Sequence, residues 1–539
     1  MNGALKNKLI LFWLRSVKRL TTPAAMIEFA CRRQGDKPLL IEAESGKTTT
    51  FAAMRARAGR LAARFRSQLA PGDVLAYVAP NMPEYFEVRA AAHLAGLIFM
   101  PLAASLPQET VFYFLDFVKA KGLVYDGELG LPPDRIRQAV GKNAVLDLRG
   151  TEYARLVESG PEADGLPVAV APDDIATYNI SSGTTGKIPK VVAISNRAWV
   201  SSFYQLMLTA IPAGAGTNRY LCAMPYATAG STSFLPVLMA GMTVLVVREP
   251  FPPATLADAA RQYGASRIFL TPSQLYGLLD VCRARNERLP DLAMIVTGTE
   301  HASVSLLREC AEWFGPKIVC GYGMVEALPP LTQLPPADYL APGGTALRET
   351  RLRSAGRVVG EIELRTMDEQ GRPLPSGTPG RIAVRGDTVC RGYVDNADEN
   401  AVCFRDGWFL SSDYGRLDDD GFLHVFGRKQ DIVGRKADGQ PVFASDIEAV
   451  FESASCVRRC AAVRPDPDRE PVLFIVLRGE AKESEAQAEL DGIRAELEPE
   501  LRPREFLFRT ALPATPLGKL DRRTLAEEAT RKGGDEGYA

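Results

Sequence analysis

A chain of 539 residues is too long for one hydrophobic core and predicts two or more domains. Its 46% hydrophobic and 24% charged residues are those of a globular protein, and a formal charge of −1 gives no electrostatic case for nucleic acid. Nine scattered cysteines without a CxxC pair argue against a disulfide frame or zinc site and for reduced thiols in the cytoplasm, and three histidines (His93, His301, His424) are too few for a His-rich metal site, each being expected in packing or at the surface.

Residues 5–20 read LKNKLILFWLRSVKRL. The apolar run 9–14 is far too short to span a bilayer, and no small-residue cleavage site follows. Lys6, Lys8, Arg15, Lys18 and Arg19 flank Phe12 and Trp13, so two readings stay open: a helix at an anionic membrane surface, or a helix docked on its own domain. Further on, VLAYVA (74–79) predicts a strand, residues 82–95 a helix with Tyr85, Val88 and Ala92 on one side, and LIFMPL (97–102) another strand. TVLVV (243–247), RIFL (267–270) with the helical PSQLYGLLDVCRA after it, and MIV (294–296) repeat the alternation, which predicts layered α/β architecture with buried sheets. Residues 327–355, rich in Pro, Gly and Ala, predict a mobile loop. EIELRT (361–366), RIAVRG (381–386) and a hairpin turn at Asp420-Gly421 predict a small β subdomain. The remainder predicts a small α+β unit, with a helix at 444–453, strands near 459–463 and 472–477, and a charged helix at 482–499.

Residues 181–190, SSGTTGKIPK, carry the densest chemistry. Gly183 and Gly186 let the backbone turn its N–H groups toward an anion, Ser181, Ser182, Thr184 and Thr185 add hydroxyl donors, and Lys190 adds charge. Such a set suits a polyphosphate, although a Ser/Thr/Gly surface turn has the same composition. It is not GxxxxGK[ST], because Ile188 stands where Ser or Thr would bind magnesium.

Five further blocks follow: MPYATAG (224–230), TGTE (297–300), GYGMVEA (321–327), WFLSSDYGRLDDDGFLHVFGRKQD (408–431) and PATPLGKLDRR (513–523). In content, order and approximate spacing the six stretches resemble the adenylate-forming superfamily, which holds acyl-CoA synthetases, peptide-synthetase adenylation domains and firefly luciferase. The resemblance implies an α/β fold with a large N-terminal domain of several subdomains (1–429, layered α/β plus the small β subdomain) that holds ATP and the acyl group. A small mobile α+β C-terminal lid (430–539) would hinge at Gln430 and Asp431. It implies ATP, Mg²⁺ and coenzyme A, with a carboxylate attacking the α-phosphate and a thiol then displacing AMP. By position in the blocks, Lys519 would bridge the carboxylate and α-phosphate, Lys190 would neutralise phosphate, and Glu326 would associate with magnesium. Ser181, Ser182, Gly183, Thr184, Thr185 and Gly186 would cradle phosphates. Asp413 and Arg428 would hold ribose, Tyr322 would stack on adenine, and Gly298, Thr299 and Glu300 would line its other side. Tyr226, Ala227, Gly230, Ser231 and Gly321 would form the acyl pocket.

Several positions depart from the family pattern. GKIPK carries one inserted residue, Val191 and Asn196 replace Gly and His, Val325 replaces a phosphate-binding Thr, Ser412 replaces Gly, and about three residues are added between Val433 and Gly439. Ala227 stands where amino-acid-activating relatives carry Asp and many CoA ligases carry His, which implies a mostly apolar acid, fatty or aromatic. Coenzyme A is the leading acceptor. A carrier-protein phosphopantetheine is the alternative, and a non-catalytic nucleotide- or acyl-binding relative is the third.

Overall fold

The structure, a computed structural model, describes residues 19–141, 144–161, 165–181, 189–209, 218–437, 439–466, 470–479, 481–515 and 520–535. The segment that holds the two N-terminal readings therefore lies outside the described residues, apart from Arg19 and Leu20. No helix among the described residues is long and apolar enough to cross a membrane.

Two large sheets organise the first 360 residues, one of them taking an edge strand from residues 392–393. One has seven strands in the order Gly392–Tyr393, Val191–Ser195, Ile175–Ile180, Ile98–Ala103, Val74–Ala79, Gly122–Tyr125, Val145–Asp147. The other has nine, in the order Arg357–Val358, Thr332–Leu334, Ile318–Tyr322, Met294–Gly298, Arg267–Leu270, Arg219–Cys222, Thr243–Val246, Pro38–Glu42, Thr48–Thr50. Val74–Ala79 and Ile98–Ala103 are buried at every position, which is why they read as unbroken apolar runs rather than as alternating ones. Helices Pro23–Gln34, Phe51–Arg66, Glu84–Leu94 and Phe234–Met239 join both sheets through one continuous core.

Helix Glu84–Leu94 corrects an expectation. It is buried on all sides from Tyr85 to Leu94, not on one side only. The sequence shows polar residues at Glu87, Arg89 and His93, and each makes contacts inside the core. Arg57 (2.6 Å) and the Tyr153 hydroxyl (2.8 Å) donate to Glu87, and Arg89 lies between the rings of Trp199 and Phe234 at 4.4 Å from each. His93 packs beside Arg89 and Phe234.

Most of the stretch 327–355 is likewise packed, and only residues 342–346 form an exposed irregular turn. The stretch contributes the strand Thr332–Leu334 to the nine-stranded sheet and the short helices Pro336–Tyr339 and Glu349–Leu352. Leu328, Leu331, Leu334, Tyr339 and Leu352 are buried, and the Tyr339 hydroxyl donates to the Ile318 carbonyl at 3.0 Å. Apolar side chains spaced among the prolines and glycines anchor it, which composition alone conceals.

A five-stranded sheet follows, built on Glu363–Met367, Gly380–Arg385, Trp408–Leu417 and Phe404–Arg405, with Leu423–Arg428 paired to Trp408–Leu417. At its hairpin tip the Asp418 carboxylate accepts from the Phe422 and Asp420 amides (2.9 and 3.1 Å), and Gly421 supplies a φ of +79°. His424 meets the same carboxylate at 3.2 Å. After a single turn at Lys429–Asp431, the strands pair only with one another: Ile432–Arg435 with Pro441–Phe443, and Val457–Val463 with Val472–Leu477 and Glu505–Arg509. This last unit touches helices Pro272–Ala284 and Val304–Phe314 through the ion pairs Arg458–Asp280 and Arg478–Glu309 and a Tyr276 hydroxyl bond to the Arg458 carbonyl (3.1 Å). All nine cysteines are free thiols.

Candidate active site

A cleft of about 620 Å³ opens at the C-terminal ends of strands Met294–Gly298 and Ile318–Tyr322. Ends of parallel strands are the usual place for ligands in open α/β sheets, since loops diverge there. Its other walls come from Trp408–Leu417, Leu423–Arg428 and, from the C-terminal unit, Asp431, Ser445, Glu448 and Arg522.

Asp413 and Arg428 face each other in register across the hairpin, with Arg428 Nε donating to Asp413 Oδ1 at 3.2 Å. The Tyr322 hydroxyl donates to Asp413 Oδ2 at 2.8 Å, so strands from two sheets meet on one carboxylate. Burial, and then the Asp413 charge, hold the Tyr322 phenol well above its ordinary pKa and keep it a donor. Nearby, Glu326 Oε1 accepts from the Tyr393 hydroxyl at 3.0 Å. Burial raises the Glu326 pKa and the neighbouring Asp413 charge adds to this, while the bond from Tyr393 opposes it.

The base of the Ser/Thr/Gly loop is a strand pair. The Ser181 amide donates to the Lys190 carbonyl (2.9 Å), and the Lys190 amide donates to Ser181 Oγ (3.3 Å). Lys190 Nζ meets Glu399 Oε1 at 2.5 Å and sits 4.8 Å from the centre of the Tyr393 ring. Ser182, Gly183, Thr184, Thr185 and Gly186 lie outside the described residues, as does Lys519.

Gly298, Thr299, Glu300 and Gly321 line the cleft together. A Cβ on Gly298 would stand 2.6 Å from the Gly321 carbonyl oxygen, so glycine permits the close approach of these strands. Thr299 adopts a φ of +72°, and Glu300 accepts from Ser273 Oγ at 3.1 Å. Four buried polar atoms on the lining, Asn179 Oδ1, Ser231 Oγ, Thr297 Oγ1 and Thr299 Oγ1, have no hydrogen-bond partner. Buried groups of this kind are costly unless a ligand or water satisfies them.

Of the expected acyl-pocket residues, Ala227, Ser231 and Gly321 line the cleft, and Tyr226 and Gly230 do not. Tyr226 turns into the core beside Tyr85 and Phe86, with ring centres 5.1 and 5.4 Å away, and its amide donates to Asn81 Oδ1 at 2.7 Å. Gly230 is tucked against the carbonyls of Met224 and Pro225, where a Cβ would meet oxygen at 2.8 Å. Successive residues of an irregular turn point in different directions, so membership of one block does not place them on one wall.

Gln430 and Asp431 sit in the single turn between the sheets, where Asp431 Oδ2 accepts from the Arg428 amide at 2.8 Å. Residues that the sequence did not single out also line the cleft. Arg381 spans from its own strand to the Ser411 and Leu410 carbonyls (3.0 Å each), and Arg522 holds Glu448 with two nitrogens (2.5 and 2.9 Å). Tyr393 and Glu399 carry no sequence signal, because their partners are far away in the chain. His301, expected in packing or at the surface, is exposed at the cleft wall.

The chemistry of the site fits a magnesium–nucleotide. No cluster of three or more His, Cys, Asp or Glu suited to a metal occurs among the described residues. One carboxylate beside phosphate oxygens is nevertheless a normal magnesium arrangement, and Glu326 is such a carboxylate.

Comparison with known proteins agrees with this geometry. The family model for AMP-binding enzymes matches residues 27–394, well over half of the chain, and the chain belongs to that family. It is similar to a feruloyl-CoA synthase from Amycolatopsis sp (28% identical over 482 residues, 88% of this chain and 93% of that protein). It is also similar to the medium/long-chain-fatty-acid–CoA ligase FadD8 of Mycobacterium tuberculosis (28% identical over 408 residues, 74% and 67%). Among solved structures it resembles the amide bond synthetase McbA from Marinactinospora thermotolerans, with a TM-score of 0.82, 24% identity, and 94% and 100% of the two chains covered.

Proposed function

We propose that this protein is an AMP-forming acid–thiol ligase. In the first half-reaction a carboxylate oxygen attacks the α-phosphorus of ATP, and pyrophosphate leaves with the electron pair of the broken P–O bond. In the second, the thiolate of coenzyme A attacks the acyl carbon and AMP leaves. The single observation that carries this reading is the Asp413 carboxylate, held by Tyr322 and Arg428 at one end of a cleft that continues into an apolar chamber. A fixed carboxylate suits the two hydroxyls of a ribose, and the chamber suits the body of an acid. The activities that name the two similar ligases support coenzyme A over a carrier protein as acceptor.

Neither half needs a nucleophilic side chain; both need charge and orientation. Lys190 would leave Glu399 for a phosphate oxygen. Glu326 would hold Mg²⁺ together with phosphate oxygens, and the ion would neutralise charge on the phosphates. Residues 430–539 would act as a lid turning at Gln430 and Asp431, which carries Lys519 to the α-phosphate for the first half and away for the second. Ala227 and its apolar neighbours point to a fatty or aromatic acid, and the reduced thiols point to the cytoplasm. Residues 5–20 would add contact with anionic lipid, which sedimentation of full-length and truncated protein with vesicles tests.

A screen of pyrophosphate release over short, long and aromatic acids, followed by mass analysis for acyl-CoA, tests the assignment. Pyrophosphate and acyl-CoA should appear in equal amounts. Adenylate without thioester would refute the thiol step, and no pyrophosphate with any acid would refute the ligase.

A further inference from the structure

The acyl chamber has a graded floor, and its far end is polar. Strands Arg219–Cys222, Arg267–Leu270 and Met294–Gly298 run parallel, with Tyr220, Arg267 and Met294 in one row and Phe269 beside Val296 in another. Alternate residues of a strand share a face, and Met294, Val296 and Gly298 all line the cavity, as do Arg267 and Phe269. Gly298 belongs to the nucleotide end. At roughly 3.3 Å per residue, the row of Tyr220 and Arg267 lies about 13 Å further in. Between the two ends the lining is apolar, with Phe269, Val296 and Met224, and Met242 sits at the far end with its Sδ 3.4 Å from Arg267 Nη1. Phenylalanine and thioether sulfur are good company for an aromatic ring.

The far end is built of donors held in place. Arg267 lines the cavity at 8% exposure, and its Nη1 donates to Asn218 Oδ1 at 2.6 Å. The Tyr220 hydroxyl and Ser233 Oγ are 2.6 Å apart and both residues line the cavity. Ser231, on the turn that leads to Ser233, is 2% exposed, and its Oγ has no hydrogen-bond partner. Its carbonyl accepts from buried Arg89 at 2.7 Å, which fixes the turn. Of these groups Ser231 Oγ is the one without a partner in the protein, and a chamber meant only for hydrocarbon would not leave a buried hydroxyl unbonded on a lining that also holds a guanidinium and two further hydroxyls.

We propose that the acid is an aryl acid of short reach carrying an oxygen at the end remote from its carboxyl group, and that Arg267, Ser231 and the Tyr220–Ser233 pair read that oxygen. This rests on the reading of the cleft as the acid-activating site. The apolar middle takes the ring, and a span of about 13 Å is shorter than an extended long-chain acyl group. Ser231 and Arg267 are specificity-determining residues for an oxygen acceptor, whether a phenol, an ether or a second carboxylate.

Pyrophosphate release from cinnamic, 4-hydroxycinnamic, 4-carboxycinnamic and hexadecanoic acids tests this. Wild type should favour a 4-oxygenated acid over cinnamic acid by roughly tenfold or more in kcat/KM, since a site built to hydrogen-bond a substrate group discriminates against the analogue that lacks it. S231A and R267M should each shrink that ratio, with AMP affinity by calorimetry reporting that the fold is intact. R267K, which keeps the charge but loses the fork, carries the same test if R267M does not fold. Equal use of cinnamic and 4-oxygenated acids, a preference for hexadecanoic acid, or a ratio unmoved in the variants overturns the proposal and leaves the ligase reading standing. Silence with all four acids and with every acid of the wider screen overturns both.

Discussion

Asp413 is held at both carboxylate oxygens. Its two oxygens accept from Tyr322 and Arg428, and its own amide donates to Ser411 Oγ at 3.1 Å. If it holds a ribose diol, D413A removes hydrogen bonds to a charged acceptor, each worth about 1.5–3 kcal/mol. The KM for ATP should then rise at least about tenfold, at roughly 1.4 kcal/mol per decade, with little change in the preference among acids. Unchanged ATP affinity by calorimetry would remove Asp413 from the nucleotide site. Glu249 offers a separate test through pH. Burial pushes its carboxyl up to about 7 from an ordinary 4.5. The folded state therefore binds this proton more tightly than the unfolded state, and the associated stability, complete below pH 4.5, is lost as pH rises through 7. Glutamine cannot ionise, so the Tm of E249Q relative to wild type should increase from pH 5.5 to pH 8.5. A constant difference across that range would contradict a raised pKa.

At the scale of elements, the cleft depends on how closely the strands Met294–Gly298 and Ile318–Tyr322 approach. Their register pairs Gly298 with Gly321, yet the two glycines are not equivalent. A Cβ at 298 meets the Gly321 carbonyl oxygen at 2.6 Å, whereas a Cβ at 321 finds only the Thr332 carbonyl at 4.0 Å. G298A should therefore cost about 1–3 kcal/mol of stability, as overpacking does, and weaken ATP binding by parting the strands. G321A should leave stability within about 0.5 kcal/mol. Denaturant unfolding of the pair checks this, and equal losses would show that the strands can separate freely. The same register explains what the sequence hid. RIFL reads as a strand from its branched and aromatic residues, but only its alignment with Tyr220 and Met294 puts Arg267 at the end of a chamber.

The whole molecule divides its work across the turn at Lys429–Asp431. Sheets on the two sides share no strand, and the cleft lies where Glu448 and Arg522 face the Asp413 hairpin. If residues 430–539 move as a lid, K519A should abolish adenylate formation and spare thiolysis of pre-formed acyl-AMP. Loss of one transition-state charge contact is worth about 3–4 kcal/mol, or roughly 10²–10³ in rate. Assay of the halves separately decides it, and equal loss in both would argue against a lysine that serves only the first.

By itself the sequence determined the alternation of buried strands and helices, since residues covered on both faces must be apolar in unbroken runs, as in VLAYVA and LIFMPL. It also determined family membership, because six blocks of chemically specific residues keep one order along the chain. Only the tertiary structure decided which members of a block face the cleft: Ala227 and Ser231 do, while Tyr226 and Gly230 between and beside them turn away. It alone decided that most of 327–355 packs as a strand and short helices, and that Glu87, Arg89 and His93 of helix Glu84–Leu94 are buried. The pairings of Tyr322 with Asp413, Tyr393 with Glu326 and Lys190 with Glu399 join residues 91, 67 and 209 positions apart. Periodicity and motif spacing act over a few residues, whereas such contacts exist only once sheets and helices have stacked.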